Sequence, residues 1–527
     1  MPVADVVLTD LPAEQDLLTA AERGEVEQAA IEVLDQDAGG LDLLDAGGKR
    51  RRSTLELGVC FREIGRSQVA AVRADLRPEC RAVALSLGEL TMPRDHVLGD
   101  RPKLVERVVC LSEGEVASDA HLRMIRAVVP TGQRLRPVLD LFLWSRAAIW
   151  AGVVFAFLLF EPNRAPRADR WDDPEVTRDL GLLVDVWARW DSVWVLRIAE
   201  HGYGAAEEGA AAFYPLYPLL VGILGRILLG HYVLAGVVIS LAFTLGSLVL
   251  LYRLAESKLG TEGAGRAVLY LAIFPFAVFL QAVYGESLFL FLTLAAFMLA
   301  ERGTFLGAGV AAGLAWLTRP LAVALLPALV LIAWRSPRRA RALLELTAAP
   351  ALFALYPLWL WWRLDEPFAF VHAEDVWSRH VSWAGPLGGV WDGLRAGWAG
   401  VRQLASGSDT TRYWSAVQDT DPDRVAAINL EQLAFLVLFA ALTVVVWRRF
   451  GAPYGLFAAL SLAIPLSVPS ERWPLLSIPR FGLAVFPFFL ALAVLGARPR
   501  VNTVVIVVSA MLLGIVCVQW ALWQWVA

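Results

Sequence analysis

Charge is what this chain has least of. Of its 527 residues 19% are charged and 57% hydrophobic, against roughly 25% and about 45–50% in a soluble domain, so an ordinary water-soluble enzyme is excluded. Lysine occurs only at Lys49, Lys103 and Lys258; arginine supplies nearly all of the 47 positive charges, and 51 Asp+Glu leave a formal net charge of −4. Such a balance offers no net basic field to nucleic acid, and no nucleic-acid partner is expected. Cysteine is equally scarce. Cys60, Cys80 and Cys110 lie in a polar N-terminal stretch and Cys517 in an apolar run, with no paired spacing of the zinc or disulfide-framework kind. No metal, no required disulfide and no cofactor are expected.

Long apolar runs are missing from residues 1–123, which read as a mixed polar segment with an Arg cluster at Lys49 to Arg52. Two readings compete there: a small accessory domain, or an artefact of a misassigned start codon with Met124 as the native first residue. From Met124 a short basic lead (Arg126, Arg134, Arg136) runs into Leu141–Phe160, which has the length of about 20 apolar residues that a membrane-crossing helix needs. It lacks the small-residue cleavage site of a signal peptide and reads as an anchor that stays.

Hydrophobic segments follow at 213–230, 231–252, 267–284, 285–301, 304–318, 320–334, 345–363, 430–447, 453–469, 480–497 and 501–526. In lipid only helices or closed barrels satisfy the backbone, and these runs are too long for barrel strands. The predicted fold class is therefore an all-α polytopic membrane protein over residues 124–527, a bundle of about 10–12 transmembrane helices. The arginine clusters at Arg335 to Arg341, Arg448–Arg449, Arg498–Arg500 and Arg253 with Lys258 should be cytoplasmic by the positive-inside rule. The opposite face then receives loop 161–212, the Gly285–Ser287 turn, the Thr318–Pro320 turn, the Trp-rich loop 364–429 and segment 470–480. One parity conflict follows: 213–252 looks like two helices but must cross an odd number of times, so either 213–230 is re-entrant or surface-lying, or the rule fails locally.

Loop 161–212 carries Trp187, Trp190, Asp191, Trp194, Arg197, Glu200, His201 and Tyr203, with Phe213-Tyr214-Pro215-Leu216-Tyr217-Pro218 just beyond. At helical spacing 187, 190, 194 and 197 share one side. An interfacial amphipathic helix is predicted, with Trp at headgroup depth and one carboxylate, Asp191, beside the aromatic stripe. Alone, Asp191 reads equally as a solvated or Arg-paired surface residue.

These residues carry a resemblance. Trp190-Asp191-Ser192, Ile198-Ala199-Glu200-His201-Gly202-Tyr203 and Ala212 to Leu219, with Phe274-Pro275, Tyr284 to Phe289, Leu317 to Pro320 and Pro479-Arg480-Phe481, look like the signature of the PIG-V-type mannosyltransferases. That family adds the second mannose in GPI-anchor assembly and has bacterial relatives. Gly285 departs from it, standing where a Thr-like residue is expected. The resemblance implies a GT-C-type fold with interfacial helices in the first extracytoplasmic loop, a multi-pass location in a bacterial plasma membrane and an extracytoplasmic site. It also implies a polyprenyl-phosphate sugar donor, a glycolipid or glycan acceptor, and contact with membrane lipids. In that family an acidic residue of the first extracytoplasmic loop acts on the acceptor hydroxyl, and the matching position is Asp191, the expected catalytic residue. Trp190, Arg197, Glu200, His201, Tyr203, Tyr214, Glu286, Arg319 and Arg480 are the expected substrate-binding residues.

One carboxylate suffices for inverting transfer from a lipid phosphate, because the base takes only the hydroxyl proton and the leaving group departs as a stabilised anion. Arg319 and Arg480 could hold that growing charge; equally they snorkel or pair with Glu286, since a membrane-depth Arg needs a partner. Glu286 could orient a substrate or, with Ser287, cap the next helix. His201 and Tyr203 also read as shaping their loop. His372, Glu374, Asp375 and His380 fit no strong metal motif and read as solvated loop groups. Trp377, Trp383, Trp391, Trp398 and Trp414 could stack on sugars, but most read as interfacial anchors, as do Trp520, Trp523 and Trp525. The rival functions are a non-enzymatic lipid-linked sugar flippase or transporter, which should show half-repeats or broken midplane helices, and a protein O-mannosyltransferase.

Overall fold

The computed structural model describes residues 43–44, 50–51, 56–63, 105–112, 131–161, 175–203, 209–407 and 421–526. Met124, Cys80, Trp414 and most of segment 1–123 lie outside the described residues. The chain divides into two units, Met1–Pro130 and Thr131–Ala527, close to the change of character at Met124. In the first, Leu43–Leu44 pairs antiparallel with Arg50–Arg51, and Glu56–Glu63 with Val105–Ser112, Glu56 opposite Ser112. The sequence predicts no strands there; a pairing between segments this far apart leaves no local periodicity to read.

The second unit is helical. The helices used below are α1 Thr131–Leu159, α2 Ser192–His201, α3 Leu216–Ile227, α4 Tyr232–Ala272, α5 Glu286–Glu301, α6 Phe305–Trp316, α7 Leu325–Trp334, α8 Ala348–Leu364, α9 Pro386–Ser406, α10 Pro422–Phe450, α11 Ala452–Ser467, α12 Ile478–Leu483, α13 Pro487–Leu495 and α14 Pro499–Ala521. Among the described residues, five helical stretches are long and apolar enough to cross a membrane: Leu135–Leu159, Tyr232–Ala272, Arg339–Leu364, Pro422–Phe450 and Pro499–Ala521.

Local chemistry sets the boundaries. α10 opens with Pro422 at its first turn and Asp421 accepting the Asp423 N–H at 3.0 Å, and closes on Gly451 at φ 83°. The carboxylate satisfies an otherwise orphaned N–H, and glycine turns the chain through the left-handed region without a Cβ clash. α4 is broken internally at Gly260, with φ 73°. Below that break it is long enough to span, whereas the 12 residues of α3 rise only about 18 Å.

Packing relies on small residues where helices meet. On α9, Gly389, Gly393, Gly397 and Gly400 are buried on one side, and a Cβ at Gly389 would come within 2.2 Å of the Leu466 carbonyl, one at Gly397 within 2.5 Å of Leu433. Backbone contact of this kind substitutes for the hydrophobic drive that lipid removes. The other side of α9 presents Leu387, Trp391, Leu394 and Trp398, all exposed. Buried charge is handled locally: Arg146 of α1 donates to the carbonyls of Ala277 at 3.0 Å and Ala272 at 2.6 Å, capping the carbonyl-rich end of α4.

Candidate active site

The five non-basic segments meet. A cavity of about 480 Å³ is lined by Asp191 and Tyr214 from the first loop region, Tyr284 to Glu286, Thr318 to Leu321, residues 370–381 in part, and Val468, Leu476, Ser477, Arg480 and Phe481. None of the basic clusters lines it; Arg253, Arg335, Arg338, Arg448 and Arg498 are exposed.

One wall is a chain of alternating charge. Arg480 Nη1 donates to Asp191 Oδ2 at 2.7 Å, Arg480 Nε lies 3.2 Å from Glu286 Oε1, and Arg319 Nη1 donates to the same Glu286 oxygen. Glu286 is 1% exposed, and Asp191, Arg319 and Arg480 are each mostly buried. Two carboxylates and two guanidinia leave the group formally neutral, which is how four charges tolerate burial. Phe481 lies beneath both arginines, with guanidinium-to-ring distances of 5.2 Å and 5.7 Å. The backbone of Asp191 is fixed separately: its N–H donates to the Tyr284 hydroxyl at 3.1 Å, and that hydroxyl donates to the Arg189 carbonyl at 2.9 Å. Trp190, just before it, sits at φ 53°, so the chain turns sharply and delivers Asp191 to the start of α2.

The facing wall comes from the second large loop. Glu374 pairs with Arg379 (Oε2 to Nε, 3.3 Å), and Arg379 Nη1 also donates to the Val468 carbonyl at 3.0 Å. Burial pushes the Glu374 carboxyl above the ordinary carboxylate range; Arg379 opposes this, Asp191 reinforces it, and Arg319 and Arg480 oppose it more weakly. Burial likewise lowers Arg379, with Glu374 acting against the shift. The two walls therefore act on each other electrostatically.

Of the residues expected at the site, Asp191, Tyr214, Glu286, Arg319 and Arg480 line the cavity. Trp190 and Arg197 are buried behind it. Glu200 and His201 are exposed, 4.0 Å apart, and Tyr203 donates its hydroxyl to the Phe213 carbonyl and packs on Tyr356 and Trp359; none of the three lines the cavity. The arginines pair with carboxylates and do not snorkel. Glu286 does not cap α5: the N-cap is Gly285, without a side-chain hydrogen bond. The helix predicted through 187, 190, 194 and 197 begins only at Ser192, because the left-handed turn at Trp190 interrupts it, and Ser192 to Ala199 are buried. Trp187, Trp190 and Trp194 are core residues, not headgroup anchors.

The C-terminal tryptophans also differ from expectation. Trp520 is fully buried and donates Nε1 to the Val186 carbonyl at 2.8 Å. Trp523 and Trp525 pack edge-on to Trp190 at 5.4 Å and 5.3 Å, and Trp525 reaches the cavity. Trp383, Trp391 and Trp398 are exposed, while Trp377 lines the cavity. His372 bonds Glu366 at 2.5 Å, and no group of three or more His, Cys, Asp or Glu among the described residues is placed to hold a metal. Arg379 is a cavity residue that the sequence did not single out; Tyr284 stood in the resemblance motif without a role, Glu374 read as a solvated loop group, Trp377 as a sugar-stacking or anchoring indole and Trp525 as a belt residue, yet all four line the cavity.

Fold and site together define a polytopic helical membrane protein with a cavity in which alternating charges face an aromatic loop. Residues 174–331 match the family model described as Mannosyltransferase (PIG-V), a segment that contains Asp191, Glu286 and Arg319. Solved structures with similarity include ArnT from Cupriavidus metallidurans bound to undecaprenyl phosphate, with 16% identity, a TM-score of 0.32, and 67% of this chain and 76% of that chain covered. Another is the archaeal oligosaccharyltransferase AglB from Archaeoglobus fulgidus in complex with an inhibitory peptide and a dolichol-phosphate, with 14% identity, a TM-score of 0.30, and 59% and 47% covered. No curated protein matches the chain.

Proposed function

We propose that the protein transfers mannose from a polyprenyl-phosphate-linked donor to a hydroxyl of a lipid-linked or glycan acceptor, with inversion, at the extracytoplasmic face of the membrane. The observation that carries this reading is the Asp191–Arg480–Glu286–Arg319 chain lining the cavity, three of whose four members fall in the segment matching the mannosyltransferase family.

In the proposed reaction the acceptor oxygen bonds the anomeric carbon as the bond from that carbon to the phosphate oxygen breaks. The electron pair leaves with the polyprenyl phosphate, and the hydroxyl proton passes to Asp191. Such base assistance contributes about 10²–10⁴-fold in rate. Arg319 and Arg480 stabilise the phosphate as its charge grows; a guanidinium carries five N–H donors, so bonds to Glu286 leave others for phosphate oxygens. Glu286 holds both guanidinia in place between turnovers. The non-basic segments gathered at the cavity, with the arginine clusters exposed elsewhere, favour an extracytoplasmic site by the positive-inside argument.

The test is a membrane assay with radiolabelled polyprenyl-phosphate mannose, comparing wild type with Asp191→Asn. Transfer by the wild type and its loss in a variant that still inserts supports the reading; an Asn variant working at the wild-type rate overturns the base. For sidedness, Trp383→Cys and Ser336→Cys should label from opposite faces, and labelling from one face overturns the orientation.

A further inference from the structure

The loop wall of the cavity has no task in the proposed phosphate chemistry, yet it is held in place as firmly as the charged wall. Five hydrogen bonds tie the segment 377–382 to residues about 90 positions further along the chain. The Ser470 hydroxyl donates to the Trp377 carbonyl at 2.8 Å, the Glu471 N–H to the Ser378 carbonyl at 2.9 Å, the His380 N–H to the Pro469 carbonyl at 3.1 Å, the Ser382 N–H to the Ser467 carbonyl at 2.9 Å, and Arg379 to the Val468 carbonyl. Arg379 and Ser470 form a β-bridge, and Ser378 takes a left-handed φ of 52° that sets Trp377 and Arg379 on either side of a tight turn.

This strap fixes two unlike groups at one cavity face. Trp377 is half-buried, its ring edge-on to Phe213 at 5.8 Å and 6.3 Å from Trp194. Glu374, a third exposed, lies one turn earlier beside Arg379. A rigid indole face next to a carboxylate and guanidinium is the chemistry that recognises a pyranose: the ring's C–H face packs on the aromatic and its hydroxyls donate to the carboxylate in charge-assisted bonds. The phosphate-bearing substrate has its counter-charges on the opposite wall, in Arg319 and Arg480.

We propose that Glu374 and Trp377 form a subsite for a neutral hexopyranose of the acceptor, so that the acceptor presents a sugar hydroxyl to Asp191 across the cavity. This rests on the transfer reading above in assigning the sugar to the acceptor. A site built to bond hydroxyls discriminates strongly against substrates that lack them, and the acceptor class is then a sugar-bearing molecule and not a bare lipid alcohol.

The experiment uses the full chain in detergent micelles with methyl α-D-mannopyranoside as probe, read by saturation-transfer NMR, alongside acceptor kinetics. Glu374→Gln and Trp377→Ala should each weaken probe binding about 10-fold and raise the acceptor KM by a similar factor while kcat stays within about 2-fold. Trp377→Phe keeps an aromatic face and should recover most of the binding, which separates a sugar contact from a folding role. Asp191→Asn should bind the probe as wild type does while failing to transfer. Wild-type binding by both Glu374→Gln and Trp377→Ala, with acceptor KM unchanged, overturns the subsite. Probe binding that depends on Glu374 in a protein that transfers no mannose supports the subsite and refutes the donor assignment instead.

Discussion

The two walls of the cavity are built in opposite ways. The Asp191 wall stands on helix starts and tight turns: Asp191 leads into α2, Glu286 begins α5, Arg319 precedes a Pro-initiated turn and Arg480 sits on α12. Its charges neutralise one another in a chain of alternating sign. The Glu374 wall is a loop without a long helix, held by hydrogen bonds to a distant segment, and its carboxylate meets one arginine and remains partly open to the cavity. A wall whose charges balance one another is suited to holding a further charge in place. A wall with an open carboxylate is suited to accepting hydroxyls from a ligand.

Removing the shared arginine should break the comparison most severely. Arg480→Leu leaves Asp191 without its guanidinium and Glu286 with one of its two, both buried, and stability should fall by about 3–5 kcal/mol, with transfer abolished; denaturant unfolding in micelles and the mannose assay read the two losses. Glu286→Gln should cost somewhat less, about 3 kcal/mol, because Arg480, though it loses Glu286, keeps Asp191, and only Arg319 is left without its carboxylate partner. Ser470→Ala removes one bond of the strap and should lower stability by about 1 kcal/mol; acceptor KM should rise while donor KM holds, and an equal rise in both would mean that the walls are not separately built.

The smallest expected effect is one of pH. The Glu374 carboxyl is held above its ordinary value of 4.5, with burial the largest cause. A folded-state pKa raised above the unfolded one gives stability that is complete below the unfolded value and is lost as pH rises through the folded value. Wild type should therefore lose stability over a window opening near the ordinary carboxylate value, and Glu374→Gln should flatten that slope in thermal unfolding.

The same contrast explains what could be read from the residues alone. Apolar runs announced many of the helices, from Leu141–Phe160 over most of α1 to 501–526 over most of α14, because a bilayer demands length and little else; 231–252 is only part of the longer α4, 267–284 straddles that helix's end, and 480–497 is broken between α12 and α13. Asp191, Glu286 and Arg319 were legible because they stand in local motifs at helix boundaries. Arg480 was legible for the same reason, but its sharing between Asp191 and Glu286 was not, since the partners lie 289 positions apart for Asp191. Glu374 and Trp377 were visible only as loop groups with competing readings, solvated or anchoring as readily as sugar-binding: their placement depends on the strap to Ser467–Glu471, and long-range pairing has no sequence period. The tryptophans misled for a related reason. At a membrane, indole is equally at home in a headgroup belt and in a packed core, and only the left-handed turn at Trp190 and the tail packed against it decide for the core.

That tail also bears on how the carboxylate is braced. Trp523 and Trp525 complete the packing around Trp190, the residue that aims Asp191, and Trp525 forms part of the cavity wall. Two rings near residue 525 thus brace a turn near residue 190 from far along the chain, so loosening either ring would loosen the carboxylate without touching it.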